Sequence, residues 1–291
     1  MKNLNDFNNV YFVGAGGIGM AALERYFMAG GKRVAGYDRT PSPLTRRLIG
    51  EGAEIAFEDS VDTIPEPMRN PEDTLVVYTP AVPSTNEIFR YFADGRFEML
   101  KRAAVLGIIT RSSKAICFAG THGKTTTSSM AAHLLEVSGT GSNAFLGGIL
   151  RNYGSNLLLS PTSAWSVIEA DEFDRSFHHL TPSIAVITAT DPDHLDIYGT
   201  EEAYIESFAR FTELIKPDGV LIVHTGLKLV PRTAPGVSVF TYSREEGDFH
   251  AENVRIGEGR IVFDFVGPDV RVEDIELGVP VEINIDNAVA A

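Results

Sequence analysis

The sequence predicts an α/β protein: a Rossmann-like N-terminal domain over residues 1–110, then a P-loop-type central domain over residues 111–291 with an antiparallel β addition. Three observations predict it. An apolar run followed by a glycine-rich turn and a helical pattern occurs twice, around GAGGIG at 14–19 and around GTHGKTTT at 120–127. Between and after these turns, short apolar runs alternate with helix-length amphipathic stretches, as βαβ units require. From about Phe249 to Leu277 the pattern changes to short alternating segments that read as antiparallel strands.

In chain order, VYFVG at 10–14 reads as a buried strand. GAGGIG turns into the helix MAALERYFMAGG, which stops at Gly30 and Gly31, and KRVAGYD is the second strand, ending at Asp38. TPSPLTRRLIGEGAEIAF supplies another helix and strand, TLVVY at 74–78 a further strand, and NEIFRYFADG a helix. Residues 98–108 are expected to be helical, and TRSSKA is expected to be the junction between domains. AICFAG is then a strand, THGKTTT a turn, and SSMAAHLLEVSG a helix. AWSVIEAD and SIAVITATD read as strands with acidic ends, TEEAYIESFARFTELI as a helix capped by Thr200, and GVLIVH and VSVFTY as strands. NIDNAVAA begins a last helix.

Composition limits the function. Lys and Arg number 25 against 39 Asp and Glu, a net charge of −14, which argues against a general nucleic-acid binder. Cys117 is the one cysteine, which suits a reducing compartment. The polar start MKNLNDFNN has no signal-peptide core, and no apolar run approaches the length of a membrane span, so a cytoplasmic location without a membrane partner is expected.

The first turn, Gly14, Ala15, Gly16, Gly17, Ile18 and Gly19, fits G-x-G-x-x-G between a strand and a helix. Its N–H groups and the helix N-terminus suit a diphosphate, and Asp38 stands where a ribose-binding carboxylate is expected. A tight turn in an ordinary α/β domain is the competing reading. The second turn has only two residues between Gly120 and Gly123, not the usual four before Gly-Lys. Lys124 can reach β- and γ-phosphates, and the Thr125 hydroxyl can meet Mg²⁺. The strand ends EADE (Glu169, Ala170, Asp171, Glu172) and DPDHLD (with Asp191, Asp193, His194 and Asp196) offer carboxylates beside this turn, though any single one fits a solvated loop as well.

GTHGKTTT, EADE, PDHLD and NIDNA together resemble the Mur ligases, ATP-dependent enzymes that form amide bonds in bacterial cell-wall synthesis; GAGGIGM and YTPAVP are similar to the branch that joins L-alanine to UDP-N-acetylmuramate. The resemblance covers nearly the whole chain and implies ATP and Mg²⁺ as cofactors. It implies an ATP site made of Gly120, Thr121, His122, Gly123, Lys124, Thr125 and Thr126, with Lys124 catalytic and Asn284 and Asn287 at the adenine. It implies metal ligation by Thr125, Glu169 and His194. It places the UDP-sugar on residues 14–19, Asp38, Thr79, Pro80 and Ala81. Two positions depart from the family pattern: Ala189 stands where Asn is frequent, and Ile283 where His is frequent.

The family has a third, C-terminal domain that takes part in binding the amino acid. The sequence ends inside the helix that precedes it, so this chain is expected to be a nucleotide-binding piece not competent for turnover by itself. A peptide-adding ligase on the same UDP-sugar, and an NAD-dependent oxidoreductase built on GAGGIG, remain alternatives; the second leaves GTHGKTTT and EADE unexplained.

Overall fold

The computed structural model describes residues 3–291. Spatial proximity divides the chain into two units: residues up to Ile109 with Phe145–Leu159, and Thr110–Ala144 with Ser160–Ala291.

The first unit opens with β1 (Asn9–Val13), α1 (Ile18–Ala29), β2 (Arg33–Tyr37), α2 (Pro43–Glu51), β3 (Glu54–Ala56) and β4 (Thr74–Tyr78). It continues with α3 (Glu87–Asp94), β5 (Glu98–Lys101) and the start of α4 (Arg102–Ser112). The five strands form one parallel sheet in the order β3-β2-β1-β4-β5. Every residue of β1 is buried, because helices cover both faces of a central parallel strand. Tyr11, Val13, Tyr37, Met68, Ile88 and Phe92 fill the core on one face. The crossover direction reverses on either side of β1, so a crevice opens at the carboxyl ends of β1 and β4. α2 starts at a capping box in which Ser42 Oγ accepts from Thr45 N at 3.1 Å and Thr45 Oγ1 accepts from Ser42 N at 2.8 Å.

The second unit begins with β6 (Lys114–Ala119) and α5 (Lys124–Val137). β7 (Asn143–Leu150) and β8 (Ser155–Leu158) come next; most of both groups with the first unit, where Asn156 Nδ2 donates to the Ile18 carbonyl at 2.7 Å and the Phe145 ring meets Tyr26. Then come β9 (Trp165–Ala170), β10 (Ile184–Ile187), α6 (Leu195–Tyr198), α7 (Glu201–Thr212), β11 (Val220–His224) and β12 (Ser238–Tyr242). Strands β12-β11-β10-β6-β9 run parallel in that order. β13 (His250–Gly257), β14 (Arg260–Gly267) and β15 (Val270–Leu277) make an antiparallel sheet, and α8 (Ile283–Ala290) follows. Thr200 caps α7, accepting from Ala203 N at 3.2 Å. Among the described residues no helix is long and apolar enough to cross a membrane.

Two expectations need correction, on residues 98–101 and on the second turn. Residues 98–101 are an edge strand paired with β4, not the start of a helix. TRSSKA begins at the boundary between the two units, which falls between Ile109 and Thr110, and it is structured: α4 runs through Ser112 and β6 begins at Lys114. The second glycine-rich turn ends at Gly123, so Thr125, Thr126 and Thr127 already lie in α5. β7 and β8 had no counterpart in the sequence reading.

Candidate functional site

Each unit holds one glycine-rich turn at the carboxyl end of a central parallel strand. In the first unit, Gly14 follows β1 with φ +94, and a Cβ there would lie 2.4 Å from Thr79 Cγ2. The backbone can make this approach only as glycine. Gly16 N donates to Asp38 Oδ2 at 2.6 Å, and Asp38 Oδ1 accepts from Thr40 N at 3.0 Å. A cavity of about 620 Å³ opens here, lined by Gly14, Gly16, Gly17, Asp38, Thr79 and Ala81 among the sequence-predicted residues. Ala15, Ile18, Gly19 and Pro80 are not in its lining. Tyr37, Arg39, Thr40, Ser42, Asp59, Val82, Pro83, Thr85 and Asn86 complete it, and most of these the sequence reading missed. The available signal was position: Tyr37 ends β2 and the others follow β2, β3 or β4 at the carboxyl edge of the sheet.

In the second unit β6 lies between β10 and β9, so the turn after β6 meets the loops after both neighbours. Gly120 has φ +142, and a Cβ there would lie 2.2 Å from Thr188 Oγ1 and 2.7 Å from Ala189 N. Gly123, with φ +85, precedes α5 and faces Asn287, whose Oδ1 would be 2.8 Å from an added Cβ. Thr188 Oγ1 donates to the His122 carbonyl, and Thr121 N donates to the Ala189 carbonyl at 3.1 Å. Ala189 thus works through its backbone, which any residue supplies.

Lys124 is the first residue of α5. Its Nζ donates to the Gly120 carbonyl at 2.6 Å and to Glu172 Oε1 at 3.0 Å, with Glu172 Oε2 2.9 Å away. The Glu172 side chain is 2% exposed. Burial pushes its carboxyl above the usual carboxylate range, and the Lys124 ammonium opposes that shift. Thr121 Oγ1 donates to the Asp191 carbonyl at 2.7 Å and sits 2.9 Å from Tyr204 Oη. At α8, Asn287 Oδ1 accepts from Thr127 Oγ1 at 3.1 Å and Asn287 Nδ2 donates to Asn284 Oδ1 at 3.1 Å, tying the last helix to the turn. Thr126 lies in the exposed first turn of α5.

Of the residues with metal-ligand chemistry, Thr125 is exposed on the first turn of α5, Glu169 ends β9, and His194 precedes α6 in a left-handed conformation against the Phe173 ring. Among the described residues no group of three His, Cys, Asp or Glu side chains forms a self-sufficient metal cage.

Two family models match this chain: the Mur ligase middle domain over residues 118–291 and the Mur ligase family catalytic domain over residues 9–114. The chain belongs to the Mur ligase family. Its curated relatives in the family include proteins named UDP-N-acetylmuramate–L-alanine ligase from Phocaeicola vulgatus, 62% identical over 99% of this chain, and from Parabacteroides distasonis, 63% identical over 99%. The chain spans 63% of the length of each. Among solved Mur ligases, a UDP-N-acetylmuramate-alanine ligase from Thermotoga maritima is 26% identical with a TM-score of 0.81, covering 97% of this chain and 63% of its own. A UDP-N-acetylmuramate:L-alanyl-gamma-D-glutamyl-meso-diaminopimelate ligase from Neisseria meningitides, at 20% identity and a TM-score of 0.83 over 98% of this chain and 91% of its own, shares the fold.

Proposed function

We propose that this protein is an ATP-dependent ligase that joins L-alanine to the lactyl carboxylate of UDP-N-acetylmuramate. One observation carries the reading: the Lys124 ammonium is fixed across the N-terminus of α5, between the Gly120 carbonyl and a buried carboxylate. A cation, free helix N–H groups and a glycine backbone converge there, as a transferring phosphoryl group needs. The identity to alanine-adding relatives supports the choice of substrates.

A carboxylate is a poor acyl donor because oxide is a poor leaving group. One lactyl carboxylate oxygen attacks the γ-phosphorus of ATP, the bond to the β–γ bridging oxygen breaks, and ADP leaves. The amine of L-alanine then attacks the acyl carbon, inorganic phosphate departs, and the nitrogen gives up a proton. The first step brings two anions together. Lys124 offsets their repulsion from the loop side, and Gly120 and Gly123 let the backbone N–H groups approach. Thr125, Glu169 and His194 would hold Mg²⁺, which supplies further charge neutralisation on the phosphates when bound. In the first unit, the 620 Å³ cavity has the size and the mix of hydroxyl, carboxylate and glycine lining to take a uridine diphosphate, with Asp38 and Thr79 beside the loop. Asn284 and Asn287, which α8 ties to the turn through Thr127, would contact the adenine.

Calorimetric titration with UDP-N-acetylmuramate, Mg-ATP and NADH tests this. Binding of the first two without the third is expected. NADH binding at the first loop with no response to ATP would return the protein to the oxidoreductases. Amide formation with L-alanine, compared with a tripeptide amine, tests the acceptor.

A further inference from the structure

Glu172 has no task in the chemistry above, yet it is the acidic side chain in contact with the Lys124 ammonium. It is almost wholly buried, and its Oε2 has no well-formed hydrogen bond although it lies 2.9 Å from Lys124 Nζ. Burying a carboxylate in an ion pair carries a desolvation cost, so its place beside Lys124 calls for a reason. Its backbone is held as well. Tyr198 Oη donates to the Glu172 carbonyl, the Tyr198 ring meets Tyr204 edge-on at 4.8 Å, and Tyr204 Oη reaches Thr121 of the glycine-rich turn at 2.9 Å. The carboxylate is therefore pinned against the turn it faces. Two oxygens 2.9 and 3.0 Å from the ammonium present to Lys124 what a terminal phosphoryl group would present.

We infer that Glu172 is a positioning residue that holds Lys124 in its working place before nucleotide arrives and gives the ammonium up to the phosphate. This rests on the assignment of the second turn to ATP. With the Gly120 carbonyl as a second anchor, Lys124 keeps its orientation during the exchange. Part of the phosphate's binding energy is spent displacing the carboxylate, so Glu172 lowers affinity for the triphosphate in return for a preset lysine.

Glu172→Gln removes the charge and keeps the shape. Titrating wild type and variant with Mg-ATP and with adenosine, which has no phosphate, separates this role from general support of the fold. The variant is expected to bind Mg-ATP about tenfold more tightly, with adenosine affinity and melting temperature unchanged; tenfold is about 1.4 kcal/mol. Equal or weaker Mg-ATP binding, or an equal gain for adenosine, overturns the inference. Should the Gln variant not fold, Glu172→Asp, one methylene shorter, is expected to show a gain of about twofold by the same loosening of the pair, and no gain would overturn it. A wild type that binds no Mg-ATP at all would instead overturn the functional reading on which the inference stands.

Discussion

The two glycine-rich turns hold equivalent places, each between a central parallel strand and the helix after it, but they manage charge in opposite ways. After β1 the turn meets a carboxylate: Asp38 accepts the Gly16 N–H, and Asp38 and Asp59 line the cavity with Arg39. After β6 the turn carries a cation, and the carboxylate it meets, Glu172, neutralises that cation. One of the first loop's N–H groups is thus already spent on a side chain. Under the proposed function, that loop would recognise its ligand by shape and by hydroxyl contacts as much as by charge. The second is built to receive charge. A glycine signature reports where a backbone must come close; the neighbouring side chains decide what it comes close to.

The largest effect that sharpens the contrast is at Lys124. Lys124→Ala should weaken Mg-ATP binding or slow turnover roughly 10²- to 10³-fold while leaving UDP-N-acetylmuramate binding intact. Equal ATP titrations for variant and wild type would remove the second turn from the chemistry. Next is the backbone. Gly120→Ala meets both a positive φ and contacts at 2.2 and 2.7 Å, and should cost about 2 kcal/mol in chemical denaturation. Gly17→Ala, whose added Cβ meets nothing nearer than 3.6 Å, should stay within about 0.5 kcal/mol. A reversal of that order would show that the two turns are not held as described. Asp38→Ala frees the Gly16 N–H and should weaken UDP-N-acetylmuramate binding about tenfold with no change for ATP. Loss of ATP affinity in that variant would mean that the two turns do not serve separate ligands.

The strands and helices that frame the turns were legible because their apolar runs are strong and bounded by glycine. β1, β2, β4, β6 and β9 stand where the sequence placed them. The misses have local causes. EMLK at 98–101 has the composition of a helix, and only its pairing with β4 makes it a strand. NAFLGGIL at β7 is interrupted by two glycines, which hide strand character. Thr125, Thr126 and Thr127 are poor helix formers, so the start of α5 read as loop; the fold places them there regardless. For the site, EADE named a cluster of acids but not which one turns inward. Glu169 and Glu172 are three residues apart, one in β9 and one just past it, and no periodicity in so short a stretch distinguishes the buried partner of Lys124 from its neighbours. The lining of the first cavity was hidden for a similar reason, since it comes from four segments far apart in sequence.

The smallest effect concerns a second buried glutamate, and it tests whether the contrast between the turns extends beneath them. Glu24 lies on α1, the helix after the first turn; it is fully buried and neither carboxyl oxygen has a hydrogen-bond partner. Glu172 has Lys124; the cation nearest Glu24 in sequence, Arg25, is engaged by Glu51 at 2.6 Å and Asn156 at 2.6 Å. Burial raises the Glu24 carboxyl well above its ordinary value of 4.5, Arg25 pulls it down, and Asp38 and Glu51 push it further up. A carboxyl raised in the folded state favours the protonated form there. Its contribution to stability is fully present below the unfolded value and is lost as pH rises through the folded one. Glu24→Gln cannot ionise, so its stability should match wild type at pH values well below 4.5 and exceed it by a growing margin as pH rises through the ordinary carboxylate range and toward about 8. Denaturation curves of both proteins across that range measure the gap. A constant gap would mean that Glu24 finds a partner when it ionises, and the helix under the first turn would then hold a satisfied charge, as the second turn does.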